Sequence, residues 1–137
     1  MGSRKIETRA VGRSEAAKSL SKCAEFLSAA VASLDARRWS AAGLDAIHAG
    51  IAAADAALIA TCGMRSISDD HGMVVRLLES HVSSFGASQR RQMLGLLKMK
   101  NIVAYEQRLL TEAEARQLVD HARRLVRWST SICGGVA

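Results

Sequence analysis

The chain predicts an all-α protein, a single up-and-down bundle of four to five helices. It contains no proline, and its apolar residues are mostly alanine, leucine and valine with few aromatics. Those apolar residues recur at spacings of three and four, the period of a helix with one buried face. With 137 residues the chain fits one domain around one core and is too short for two. No repeat, low-complexity tract or change of composition divides it.

Residues 1–13 are polar and basic and are expected to form a flexible arm. The bundle then occupies 14–133, with 134–137 as a tail. A first helix is predicted over 14–36, burying Leu20, Cys23, Leu27, Ala30, Val31 and Leu34, with Arg37 and Arg38 against its negative end. The second, over 40–62, carries ten alanines between Ala41 and Ala60, and Leu44, Ile47, Ile51, Leu58 and Ile59 supply its larger core groups. Gly43 and Gly50 lie inside it, each costing about 1 kcal/mol against alanine in helix propensity. Their presence predicts close approach of a neighbouring helix.

Gly63 ends this helix, and Ser66 or Ser68 followed by Asp69-Asp70 reads as the start of a third, presenting Val74, Val75, Leu78 and Val82. Residues 83–86 form a turn, and Ser88 can cap a fourth helix. Met93, Leu96, Leu97 and Val103 make its apolar stripe, while Arg90, Arg91, Lys98 and Arg108 stay polar. Thr111-Glu112-Ala113-Glu114 has the form of a capping box, opening a fifth helix that buries Ala115, Leu118, Val119, Ala122, Leu125, Val126 and Ile132. Gly134-Gly135 stops it.

The formal net charge of +6 and pI of about 9.8 favour an anionic partner. Cys23, Cys62 and Cys133 are widely spaced among small or apolar neighbours, which argues against a disulfide framework or a zinc site. The first residues lack the apolar run of a signal peptide, and no segment is expected to reach the length needed to cross a membrane, so a cytoplasmic, reduced protein is expected. No cofactor and no metal are expected. Asp69, Asp70 and His71 cluster, but neighbouring residues on a helix point in different directions, and a helix start explains them better. His48 reads as a satisfied interior histidine, and His81 and His121 have still less context.

The richest stretch is Leu97-Lys98-Met99-Lys100-Asn101-Ile102-Val103-Ala104-Tyr105-Glu106, followed by the capped last helix. Together with His48-Ala49-Gly50 to Asp55 on the second helix and Asp70-His71-Gly72 before the third, it resembles the signature region of HEPN domains over residues 14–133. In that family, small helical bundles act as ribonucleases or are their inactive relatives. An arginine followed by asparagine or another polar residue leads, a few positions on, to a histidine. The resemblance implies a homodimer with a composite site and metal-independent RNA cleavage, the ribose 2′-hydroxyl attacking the adjacent phosphate. Here Lys100 stands at the arginine position and Tyr105 at the histidine position.

Lysine keeps the charge but loses the planar two-point grip on phosphate. Tyrosine, with a reference pKa near about 10 against about 6.5 for histidine, is a poor proton shuttle at neutral pH. General acid–base catalysis is worth roughly 10²–10⁴-fold, so its loss would leave a feeble nuclease.

The preferred expectation is therefore a catalytically silent or very weak HEPN-like module that dimerises and binds RNA, a nucleotide or an antitoxin-like protein partner, in the prokaryotic defence or toxin–antitoxin setting the family carries. Lys98, Arg108, Arg90 and Arg91 are its anion-binding candidates, with Asn101, Tyr105 and Arg108 expected on one helix face. Two alternatives stand beside it. One is an active endoribonuclease using Lys100, Asn101 and Tyr105. The other is a helical adaptor without nucleic-acid binding.

Overall fold

A computed structural model describes residues 7–67, 70 and 72–134. Of the described residues 79% are helical, in an all-α bundle with one small sheet. Among the described residues five helices are present: α1 (Ala16–Asp35), α2 (Trp39–Cys62), α3 (Gly72–His81), α4 (Ala87–Tyr105) and α5 (Glu112–Gly134).

The second helix organises the rest. Fourteen of its residues are buried, from Ala42 to Ala60, and they look in every direction around the axis. The reason is compositional: alanine and glycine carry no bulk, so α1, α3, α4 and α5 can all approach one rod. Gly43 lies under Leu110 and Leu118, and Gly50 under Leu96 and Leu125, so a Cβ at either position would collide with a leucine. The interior glycines thus mark close helix approach, and the leucines they receive belong to the same chain. The stripe of small residues gives no support to a dimer, because this chain's own α4, α4–α5 turn and α5 fill it.

By length and composition α2 would also be long enough and apolar enough to span a membrane, contrary to the expectation from sequence. Its apolar surface is enclosed by the other helices, as expected of a core helix. Ile47, Leu58 and Ile59 are fully buried within it, while Leu44 and Ile51 are half-buried.

Around this rod each helix shows one apolar face. α1 buries Cys23 and Ala30, with Leu20, Leu27, Val31 and Leu34 half-covered. Burial pushes the Cys23 thiol up to about 11, which keeps it protonated. α5 buries Ala115, Leu118, Val119, Ala122 and Leu125, as the sequence predicts. The Trp128 indole N–H donates to Ser84 Oγ at 3.0 Å and its ring packs against Phe85, so the α3–α4 turn is tied to α5. Ser129, fully buried, donates to the Ala53 carbonyl at 2.7 Å.

Two strands were not legible from sequence. β1 (Thr8–Ala10) pairs antiparallel with β2 (Met64–Ser66), with Thr8 opposite Ser66, Arg9 opposite Arg65 and Ala10 opposite Met64. Of the flexible arm expected over 1–13, residues 1–6 lie outside the described residues, residues 8–10 are strand, and Arg13–Glu15 form a 3-10 turn leading into α1. Three-residue strands are too short to show an alternating pattern. Backbone bonds close the ribbon: Val11 N–H to the Gly63 carbonyl at 2.8 Å and Ile67 N–H to the Glu7 carbonyl at 3.1 Å. Gly63 adopts φ +65°, ending α2 in the left-handed conformation that glycine tolerates best.

Candidate nucleic-acid interface

α4 carries the residues singled out by the family resemblance. Its start differs from expectation: Gly86, not Ser88, is the cap residue, and its N–H is held by Gln89 Oε1 at 2.9 Å. The helix runs through Tyr105 and stops there, Glu106 turning to extended backbone. Lys98, Asn101 and Tyr105 are all exposed and, at spacings of three and four, follow one face. Tyr105 is 77% exposed. Lys100 is half-buried. It lies five positions before Tyr105, so within one chain the two side chains leave the helix roughly 140° apart.

Arg108 does not continue this face. It lies beyond the helix end, where its guanidinium makes a two-point pair with Glu114, Nη1 to Oε1 at 2.9 Å and Nη2 to Oε2 at 3.0 Å. Glu114 also accepts the Thr111 N–H at 2.9 Å, while Thr111 Oγ1 accepts the Glu114 N–H at 3.1 Å. The capping box read from sequence is therefore closed, with Arg108 added to it. Arg108 first, and then the Thr111 N–H, hold the Glu114 carboxyl down at about 2.

Arg90 is engaged as well, its Nε 3.3 Å from Glu79 Oε1 on α3. That partner offsets the unfavourable placement of a cation in the first turn of α4. Arg91 is exposed and close enough to His121 of α5 to act on it through space.

Between α4 and α5 runs a groove of about 280 Å³, lined by Gly95, Lys98, Glu114, Gln117 and His121. A Cβ on Gly95 would come within 2.8 Å of His121 Nε2, so the glycine is what lets the imidazole lie against α4. Burial lowers the His121 pKa, Arg124 and Arg91 push it the same way, and Asp120 opposes them. The ring is thus neutral at pH 7 and can donate from one nitrogen and accept at the other. Sequence reasoning passed over this histidine. The available signal was Gly95, an interior glycine on α4 without a turn to explain it.

Of the remaining histidine and acidic candidates, His48 and Asp70 take structural places. His48 is exposed rather than interior, its ring 5.3 Å from that of Phe26. Asp70 caps the start of α3, its Oδ1 accepting the Gly72 N–H at 3.0 Å. Ser68, Asp69 and His71 lie outside the described residues. No group of three histidine, cysteine or acidic side chains able to hold a metal comes together among the described residues.

The face thus brings together Lys98, Asn101 and Tyr105 with His121 and Gln117 beside them, and leaves Arg108 and Arg90 engaged elsewhere. No family model, no curated protein and no solved structure matches this chain.

Proposed function

We propose that the protein is a HEPN-like, catalytically silent module that binds RNA along the last turns of α4. The observation that carries this reading is the exposed Tyr105 ring, on one helix face with Lys98 and Asn101. An aromatic ring that water reaches on most sides is a platform for an unpaired base, and Lys98, two turns away, suits an adjoining phosphate. The neutral His121 and Gln117 bordering Lys98 add donors and acceptors for ribose or base edges.

Catalysis is the weaker reading, on two counts. A tyrosine stands where the resemblance places the proton-carrying histidine, and the guanidinium nearest in sequence is occupied by Glu114. The homodimer and the toxin–antitoxin setting enter this proposal through the family resemblance alone; light scattering on the purified protein tests the first.

The deciding experiment incubates labelled single-stranded RNA with the protein without metal, at low and high salt. The expected result is a shift of intact RNA that weakens as salt rises, with Tyr105→Ala reducing affinity by roughly tenfold, the worth of one stacked base. RNA fragments that vanish in Lys100→Ala would replace this reading with the endoribonuclease. Binding that is absent at low salt would leave the helical adaptor.

A further inference from the structure

A second cluster of charges lies on the opposite set of elements. Arg9 and Arg65 are directly opposed residues of the β1–β2 pair, so their side chains leave the same face of the ribbon. Like charges in that relationship repel. Both border a cavity of about 500 Å³, whose far wall is Lys18 and Lys22, one turn apart on α1. Asp55 and Ile59 of α2 line the same cavity. Lys18 is taken by Glu15 at 2.8 Å. Asp55 makes no hydrogen bond or ion pair among the described residues, and Arg65 and Lys22 act on it through space.

The arrangement is only partly compensated: Asp55 attracts Arg65 and Lys22, and Glu15, which also lines the cavity, is paired with Lys18. Two arginines are held side by side, and a carboxylate is drawn so far out of water that burial, against those cations, raises it to about 6. A ligand that is anionic at one end and a hydrogen-bond donor at the other would relieve both. Arginine pairs suit a phosphate dianion, which they grip at two points each. A partly desolvated carboxylate suits a hydroxyl or amino group. The volume falls within the range of small-molecule pockets.

We propose that this cleft binds a phosphate monoester carrying a hydroxyl or amino group, of the size of a nucleoside monophosphate. Arg9 and Arg65 hold the phosphate, Lys22 adds charge from the α1 wall, and Asp55 accepts from the donor group. The site uses β1, β2, α1 and α2, and does not depend on RNA binding at α4.

The test is calorimetric titration of the full chain with adenosine monophosphate and, separately, with inorganic phosphate. The nucleotide is expected to bind at least tenfold more tightly than phosphate. Arg9→Ala/Arg65→Ala should abolish both, and Asp55→Asn should narrow the gap between them, with circular dichroism confirming that each variant is folded. Lys98→Ala/Tyr105→Ala should leave nucleotide binding unchanged. Absence of nucleotide binding overturns the proposal, as does binding that survives loss of both arginines or moves with the α4 variant. Phosphate binding as tight as the nucleotide overturns it too, because Asp55 would then have no part.

Discussion

Arg108 and Glu114 face each other across the α4–α5 turn through two parallel hydrogen bonds, 2.9 and 3.0 Å long, and the same carboxylate closes the N-terminal cap of α5. One acidic side chain therefore withholds the guanidinium nearest to Tyr105 in sequence. Replacing it with Glu114→Gln should free the guanidinium. If RNA lies along this face, binding should tighten and the slope of log affinity against log salt should steepen by about 0.7, one more phosphate contact on a single strand. Weaker binding would mean that RNA does not reach the end of α4.

The same pair predicts a pH dependence. The Glu114 carboxyl is held below its ordinary value of 4.5, at about 2, so the stability it contributes is fully present above about pH 4.5 and is lost as pH falls toward 2. Acid unfolding of Glu114→Gln, followed by helical ellipticity, should lack that part of the pH dependence.

Asp55 works in the opposite sense. Its carboxyl is raised from 3.8 to about 6, so the folded state binds a proton the unfolded chain has already released. Stability from this group is greatest at acid pH, declines as pH rises from about 4 through 6, and is lowest above that. Asp55→Asn should remove the cost of burying a charge and stabilise the protein at pH 7 by up to about 3 kcal/mol. Thermal melts between pH 4 and 7.5 should show the variant flatter and, at neutral pH, higher. An unchanged melting profile would mean that water reaches Asp55 freely.

Gly95 and His121 make a third testable pair. A methyl group at 95 would have to displace the imidazole, since its Cβ would lie within 2.9 Å of two ring atoms. In Gly95→Ala the ring should move toward water and its pKa should rise toward the ordinary 6.5, which an NMR titration of its ring protons reads directly. In the native chain, with the pKa depressed, stability should fall as pH drops below about 6.5, because the unfolded histidine takes up its proton first.

Gly50 tests the central helix. Gly50→Val would drive two methyl groups into Leu96, which is fully buried and already in contact with α2. Overpacking of this kind costs about 1–3 kcal/mol, on top of the poorer helix propensity of a β-branched residue. A denaturant midpoint equal to that of the native chain would show that α4 can move away.

The helices were largely legible because their information is local. Apolar spacing, the absence of proline, the Thr111-to-Glu114 cap and Gly63 each act within one or two turns, and all appear where the sequence places them. Boundaries moved at Gly86, where Gln89 rather than Ser88 completes the cap, and at Tyr105, where α4 stops before Arg108. The β1–β2 ribbon escaped notice because its pairing joins residues more than fifty positions apart through strands of three residues.

The site divides in the same way. By itself the sequence determined which side chains exist in the Lys98-to-Tyr105 stretch, that the chain is basic, and that Gly43 and Gly50 need a close neighbour. Only the tertiary structure decided which cations stay available, because charge pairs such as Arg108–Glu114 and Arg90–Glu79 depend on distances between elements. Only tertiary structure, too, laid His121 against Gly95, set Arg9 beside Arg65, and drew Asp55 out of water. Those relationships are made by chain segments that meet in space and leave no periodic trace along the sequence.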